Sequence, residues 1–228
     1  MAIAASQNAR YSYEFNTRPL LASWEASAHP AQTKLAAYRA ELAALVAPAL
    51  AALHPPLALW FEPTGGVDTR LGYDLDNYLT PVVEALGGPA QFAYANARRG
   101  RGGEPSRIAL APAATAPALT DLSHRAQAHT TVSAERRKWK ESIAAAVGRH
   151  DTARSSHPLD LDVSFRVSPL RNWVTLWKPA IDALGGILGE GSRPWHPRDD
   201  RISHLTLRRQ LDSGIGWDVY LDIRWREL

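Results

Sequence analysis

Apolar residues recur at steps of three and four between Ala31 and Leu53, at Leu35, Tyr38, Leu42, Leu45, Val46 and Leu50, among good helix formers. That spacing predicts an amphipathic helix, and Pro55-Pro56 ends it. Residues 8–16 alternate and predict a strand ahead of the helix. Leu57 to Phe61 is a short apolar run and predicts a buried strand behind it. A loop opens at Thr64-Gly65-Gly66 and reaches Tyr73. Asp74 to Leu86 then reads as a helix stopped by Gly87-Gly88. Phe92 to Ala95 and Ile108 to Leu110 read as strands, joined by the Arg- and Gly-rich stretch 98–103.

Residues 111–120 hold small side chains and two prolines with no large aromatic to anchor them, the composition of a linker. Beyond it the order recurs. A helix is expected from Ser133, as N-cap, to about Val147. Leu159 to Val167 alternates, with Leu161, Val163, Phe165 and Val167 on one face of a strand. Trp173 to Leu184 reads as a helix stopped by Gly185-Gly186. Ile202 to Leu211 and Trp217 to Trp225 read as strands with Ser213-Gly214 between them. Helix, strand, helix, strand, strand thus appears on both sides of the linker. Residues also correspond: Thr80 to Gly88 lines up without a gap on Lys178 to Gly186, matching Pro, aliphatic, acid, Ala, Leu, Gly and Gly in order. This predicts an internal duplication, with one unit at 1–112, a linker at 113–120 and a second unit at 121–228. The expected class is α/β (α+β), each unit a small mixed sheet with two helices, the two packed as an intramolecular pseudo-dimer.

Composition narrows the chemistry. The 228 residues are 45% hydrophobic and 21% charged, with no cysteine, which excludes disulfides, thiolate metal sites and a cysteine nucleophile. No apolar run reads as long enough to span a bilayer, and Met1 to Tyr13 lacks the basic and apolar regions of a signal peptide. A cytoplasmic protein without a membrane partner is the expectation. The net charge of +3 is mild, but the cations are mostly Arg, whose planar fork pairs well with phosphate.

Two acidic groups carry candidate chemistry. Asp74-Leu75-Asp76-Asn77 stands at a helix entrance, where the turning chain lets both carboxylates converge on one cation. Asp199-Asp200 stands between Gly189-Glu190-Gly191 and the strand from Ile202. Mg²⁺ takes oxygen ligands, usually one or two carboxylates with water and substrate phosphate. Taken alone, Asp74 and Asp76 read equally as helix caps, and Asp199-Asp200 as a solvated turn beside Arg198 and Arg201.

Together they resemble the RusA-type Holliday-junction resolvases. Asp74-x-Asp76-Asn77-x-x-Thr80-x-x-x-Glu84-Ala85-Leu86 is similar to that family's Asp-x-Asp-Asn-x-x-Lys-x-x-x-Asp-Ala-Leu, which is followed by a Gly turn, an Asp-Asp pair and a strand. The second half resembles the remainder: Lys178-x-x-x-Asp182-Ala183-Leu184, Gly185-Gly186, then Asp199-Asp200-x-Ile202. The resemblance implies a small α/β unit that dimerises, binds Mg²⁺ through its acids and cuts branched DNA. A tandem copy would be a covalent pseudo-dimer, monomeric as a chain. Thr80 stands at the family lysine, Pro89-Ala90 at the Asp-Asp pair, and Asn172, Val174 and Thr175 where Asp, Asp and Asn belong. Each half keeps what the other lacks. The resemblance therefore implies either one composite centre, with Asp74, Asp76, Asp199 and Asp200 as metal ligands and Lys178 steadying phosphorane charge, or a scaffold kept only for binding. A carboxylate separation beyond roughly 10 Å would exclude a shared ion. The different-class alternative is an inactive subunit of a larger protein assembly, such as a defence or mobile-element complex.

For nucleic acid, Arg98, Arg99 and Arg101, with Arg107, form one candidate cluster, read alternatively as a solvated hairpin tip. Arg136, Arg137, Lys138 and Lys140 form another, in the first turns of a helix, where cations oppose the macrodipole unless an anion is near. Arg208 and Arg209 read as a solvated face. Trp173, Trp177 and Trp195 read as core before base stacking, and the histidines show no close metal spacing.

Overall fold

The computed structural model describes residues 10–22, 29–64, 74–119 and 121–228. They divide by their contacts into two compact units: 10–22, 29–64 and 75–118 in the first, and 74, 119 and 121–228 in the second. Both are mixed α+β. The first runs β1 (Tyr11–Phe15), α1 (Pro30–Ala52), β2 (Leu57–Glu62), α2 (Leu75–Ala85), β3 (Phe92–Arg98) and β4 (Ser106–Pro112). The second runs β5 (His124–Thr130), α3 (Arg137–Val147), β6 (Leu159–Val167), α4 (Trp177–Asp182), α5 (Gly185–Leu188), β7 (Ile202–Leu211) and β8 (Val219–Glu227).

The strand order is β1-β4-β2-β3 in the first unit and β5-β8-β6-β7 in the second, the same arrangement twice. In each, the first strand is antiparallel to the fourth, and the second is antiparallel to the fourth but parallel to the third. The parallel pair needs a crossover, supplied by α2 and by α4–α5. An irregularity repeats too. β2 and β3 slip by one residue between Leu57 and Ala58, which face Phe92 and Tyr94. β6 and β7 slip between Leu159 and Asp160, which face Ile202 and His204.

In the first unit, α1 turns Leu35, Tyr38, Leu42, Val46 and Ala49 inward, while Leu45 and Leu50 of the predicted stripe are half-buried and Ala49 lies outside that stripe. By length and mean hydropathy α1 could cross a bilayer, because its many alanines count as apolar. Its buried residues pack on α2 and β1. Arg39 of α1 is ion-paired with Glu84 of α2. Pro81 lies well inside α2 rather than in its first turn, so it leaves the Asn77 carbonyl without its helical donor. The Ala22 N–H takes that role at 3.0 Å.

The second unit buries Trp139, Trp173, Trp177 and Trp225 completely, with Trp173 and Trp177 edge to face at 4.8 Å. The pair linking the first two helices recurs here: Lys140 of α3 donates to Asp182 of α4 at 2.7 Å. Asp182 is the residue that the ungapped alignment sets on Glu84.

Several expectations need correction. Gly185-Gly186 does not stop a helix running from Trp173. A 3-10 turn at Val174–Leu176 leads into α4, and the glycines begin α5. A Cβ on Gly186 would lie 1.8 Å from the Gly148 carbonyl, so glycine there permits close approach of α5 to the end of α3. Pro179 consequently falls in the first turn of α4, where its missing N–H costs little. Ser133 is not the cap of α3; Arg136 is, without a side-chain cap, and Ser133 closes the preceding turn. Ala111 and Pro112, read as linker, belong to β4, paired with Ala58 and Leu57. The strand β5 was not expected. It is a polar edge strand, exposed along most of its length, and lacks the apolar alternation that marks its neighbours. The expected loop up to Tyr73 lies outside the described residues from Gly65 onward.

Candidate functional site

The turn carrying Asp199 is held by two inward-facing arginines. Arg201 is 6% exposed and spends its donors on four segments: Thr152 O (2.7 Å), Leu188 O (2.9 Å), His157 O (3.0 Å) and the Glu227 carboxylate (3.1 Å). Arg198 donates to Ala153 O and Ser155 O at 2.9 and 2.6 Å. Read from sequence as flanks of a solvated turn, these cations are structural, because backbone carbonyls satisfy guanidinium groups that burial would otherwise penalise. The turn thereby directs Asp199 inward and leaves Asp200 exposed.

Lys178, near the start of α4, meets Asp199 there. Its ammonium donates to Asp199 Oδ2 at 2.7 Å and to Asp74 Oδ2 at 2.9 Å, and it lies 3.2 Å from Asp182 Oδ1 one helical turn on. Asp182 in turn binds Lys140. Five charged side chains therefore form one chain: Lys140, Asp182, Lys178, and the pair Asp74 and Asp199. Three carboxylates face two ammonium groups, an excess of one negative charge. The carboxyl of Asp199 is held above the usual carboxylate range, first by burial and then by the charge of Asp74, with Lys178 opposing both.

Of the sequence-derived candidates, Asp74, Lys178 and Asp199 are thus brought together, and Asp200 does not join them. Asp76 is buried in the first turn of α2, where its carbonyl accepts from Thr80 Oγ1 at 3.0 Å. Thr80, which the resemblance sets against a lysine, is turned back on its own helix. Asp182 and Lys140 belong to the cluster but were not singled out for it. The signal for Asp182 was in the quoted motif; for Lys140 the sequence held none, since α3 and α4 meet only through the fold.

A divalent ion has a limited fit. Asp74 and Asp199 converge on one cationic group, as ligands of Mg²⁺ must. That cation is an ammonium, and although Asp182 approaches it as well, among the described residues no three acidic or imidazole side chains are placed to hold a metal ion.

The cationic patches divide in two. In the hairpin cluster, Arg98 pairs with Glu62 at 3.2 Å and Arg107 with Glu14 at 2.9 Å. These arginines, with Arg99, Arg101 and Glu104, line a cavity of about 350 Å³. On α3, Arg136, Arg137 and Lys138 are exposed, Arg137 reaching Glu141 at 2.8 Å. Lys140 is half-buried beside them and committed to Asp182. Arg208 is not solvated: it grips Asp162 with two contacts of 3.1 and 3.0 Å, and Asp162 is 2% exposed. Arg209, on the other side of β7, lies 5.8 Å over the ring of Trp173.

With this geometry established, comparison with known proteins adds no relative: no family model matches the chain, and no curated protein matches its sequence.

Proposed function

We propose that this chain is a RusA-like nucleic-acid-binding protein, a tandem duplication of a nuclease-type unit that retains one centre around Lys178. The observation that carries the reading is the ammonium of Lys178 bonded to both Asp74 and Asp199. These three are surviving members of the family pattern, and they come from distant parts of the sequence. The repeated strand order, the repeated slip in the parallel pair and the repeated charged link between helices support descent from one copied unit.

The exposed cations at the start of α3, Arg136, Arg137 and Lys138, lie within four residues of Lys140, and Arg136 and Arg137 line one cavity with it. They supply the phosphate contacts that any DNA structure offers, with the hairpin arginines Arg98, Arg99 and Arg101 as a second contact region. In the ground state Lys178 bridges Asp74 and Asp199 and offsets one of their two charges. When a phosphodiester arrives, its negative charge competes for the same ammonium, and Lys178 can pass from carboxylate to phosphate oxygen. Asp74 and Asp199 would then hold Mg²⁺, which supplies charge neutralisation and an activated water when bound. Lys140 keeps Asp182 neutralised throughout, so the exchange involves Lys178 alone.

The test is anisotropy titration of a labelled four-way junction and a linear duplex in EDTA, followed by incubation with Mg²⁺. Salt-dependent binding is expected. Cleavage lost in Asp74→Asn and Asp199→Asn would make the centre a working endonuclease; binding without cleavage would make the chain a binder only. Absence of any affinity would sink the reading in favour of a non-enzymatic assembly subunit. That second reading has its own support in Leu170 and Trp217, largely exposed apolar side chains joined by Arg171, whose guanidinium lies 5.6 Å over the Trp217 ring.

A further inference from the structure

In the first unit Gly87-Gly88 leads directly into Pro89, whereas in the second residues 187–198 intervene between Gly185-Gly186 and Asp199. The tip of this added segment folds back on itself. The Gly191 N–H donates to the His196 carbonyl at 2.9 Å and the Arg198 N–H to the Gly189 carbonyl at 3.0 Å, with Glu190 and Pro197 bridged between them. A Cβ on Gly191 would stand 2.2 Å from the His196 oxygen, so the closure requires glycine. At the tip is Trp195, the one described non-glycine residue with a positive φ, 61°. An aromatic residue in that region is unusual and is held there by its surroundings.

Unlike the four fully buried tryptophans of the same unit, Trp195 keeps part of its surface open. With Pro194, Glu135, Arg136, Arg137 and Lys140 it lines a cavity of about 410 Å³, within the range of ligand sites. The wall thus combines one tryptophan with three cations and one carboxylate. Lys140 is spent on Asp182 and Arg137 shares Glu141, while Arg136 has no acidic partner among the described residues.

We infer that this cavity takes one unpaired nucleotide, its base against Trp195 and its phosphate on Arg136 and Arg137. The inference rests on the nucleic-acid reading above and narrows it to a substrate class: duplex DNA with a single-stranded flap or bulge. A paired base inside a duplex has both faces covered by its neighbours and cannot reach the indole; an unstacked one can. The carboxylate of Glu135 adds an acceptor for an exocyclic amine.

The experiment compares a labelled blunt duplex with the same duplex carrying a short cytidine flap, by anisotropy at one fixed salt concentration on the full chain. The flap is expected to tighten binding by about five- to a hundredfold, the range for stacking one base. Trp195→Ala should abolish that advantage and leave blunt-duplex affinity unchanged, Trp195→Phe should keep most of it, and Arg136→Ala with Arg137→Ala should weaken both substrates. Equal binding of the two substrates by the wild type, or an advantage that survives Trp195→Ala, overturns the inference and leaves duplex binding standing. Failure to bind either DNA overturns both.

Discussion

The ammonium nitrogen of Lys178 stands 2.7 Å from Asp199 Oδ2 and 2.9 Å from Asp74 Oδ2, so one cation serves two carboxylates far apart in sequence. Removing it should leave Asp74 and Asp199 facing each other with no positive charge between them. Lys178→Met is predicted to lower stability by about 1–3 kcal/mol, less than for a fully buried pair because Lys178 is part-exposed. Millimolar Mg²⁺ should restore part of the loss. Thermal melts of the variant with Mg²⁺ and with EDTA decide this; identical curves would mean that the carboxylates do not hold a divalent ion.

Asp199 also sets a pH dependence. Its folded-state pKa is raised from 3.8, so between the unfolded and folded values the native state holds the extra proton. Stability from this group is therefore greatest at low pH, declines as pH rises through that window and levels off above it. Asp162 is shifted the same way, by burial first, so the comparison must be between variants. The melting temperature of Asp199→Asn minus that of the wild type should climb as pH rises from the acid range toward neutrality. A difference that stays flat with pH would contradict the assignment.

The pair Asp162 and Arg208 gives a sharper stability test, since Asp162 is nearly inaccessible and Arg208 mostly covered. Arg208→Leu should cost about 3–5 kcal/mol by stranding a buried carboxylate. Asp162→Leu with Arg208→Leu should cost much less than the sum of the single changes. Urea unfolding of the four proteins in the cycle measures the coupling, and additive losses would refute it.

Gly191→Ala tests the tip of the added segment. Its Cβ cannot coexist with the His196 carbonyl at 2.2 Å, so the closure around Trp195 must open while the sheets stay intact. The expected result is a small change in melting temperature together with reduced binding of flapped DNA. Unchanged flap binding would show that the position of Trp195 does not depend on this closure.

Pro81→Ala supplies a new N–H that competes with Ala22 for the Asn77 carbonyl. Helix α2 should gain from losing an interior proline, and the Ala22 amide should lose protection. Hydrogen exchange at Ala22 reads this directly; undiminished protection would mean that the contact is not sustained by the missing helical bond.

How much of this was readable in advance depended on whether a residue's fate was decided locally. Leu159 to Val167 and Ile202 to Leu211 were placed to the residue because alternation and β-branched side chains declare a strand by themselves. α1 followed from its periodic stripe. His124–Thr130 could not be seen that way, since it is a strand only through pairing with β8. Trp173 to Leu184 looked like one helix because glycine at 185 and 186 usually marks an end; the approach of Gly148 gives it another use. Arg208 and Arg201 looked solvated because charge predicts exposure until a partner carboxylate or a set of carbonyls is supplied from elsewhere. For the candidate site, motif spacing pointed to Asp74, Asp76, Lys178, Asp199 and Asp200 together, of which Asp74, Lys178 and Asp199 meet. It was silent on Lys140, whose neighbour is fixed by the meeting of α3 and α4.

Arg201 has one more implication. A single guanidinium ties the Asp199 turn to the 3-10 turn after α3, to the end of α5 and to Glu227, the last residue of β8. Glu227 is therefore mechanically connected to the acidic centre although it lies in another strand, and Glu227→Ala would loosen the very turn that carries the Asp199 carboxylate.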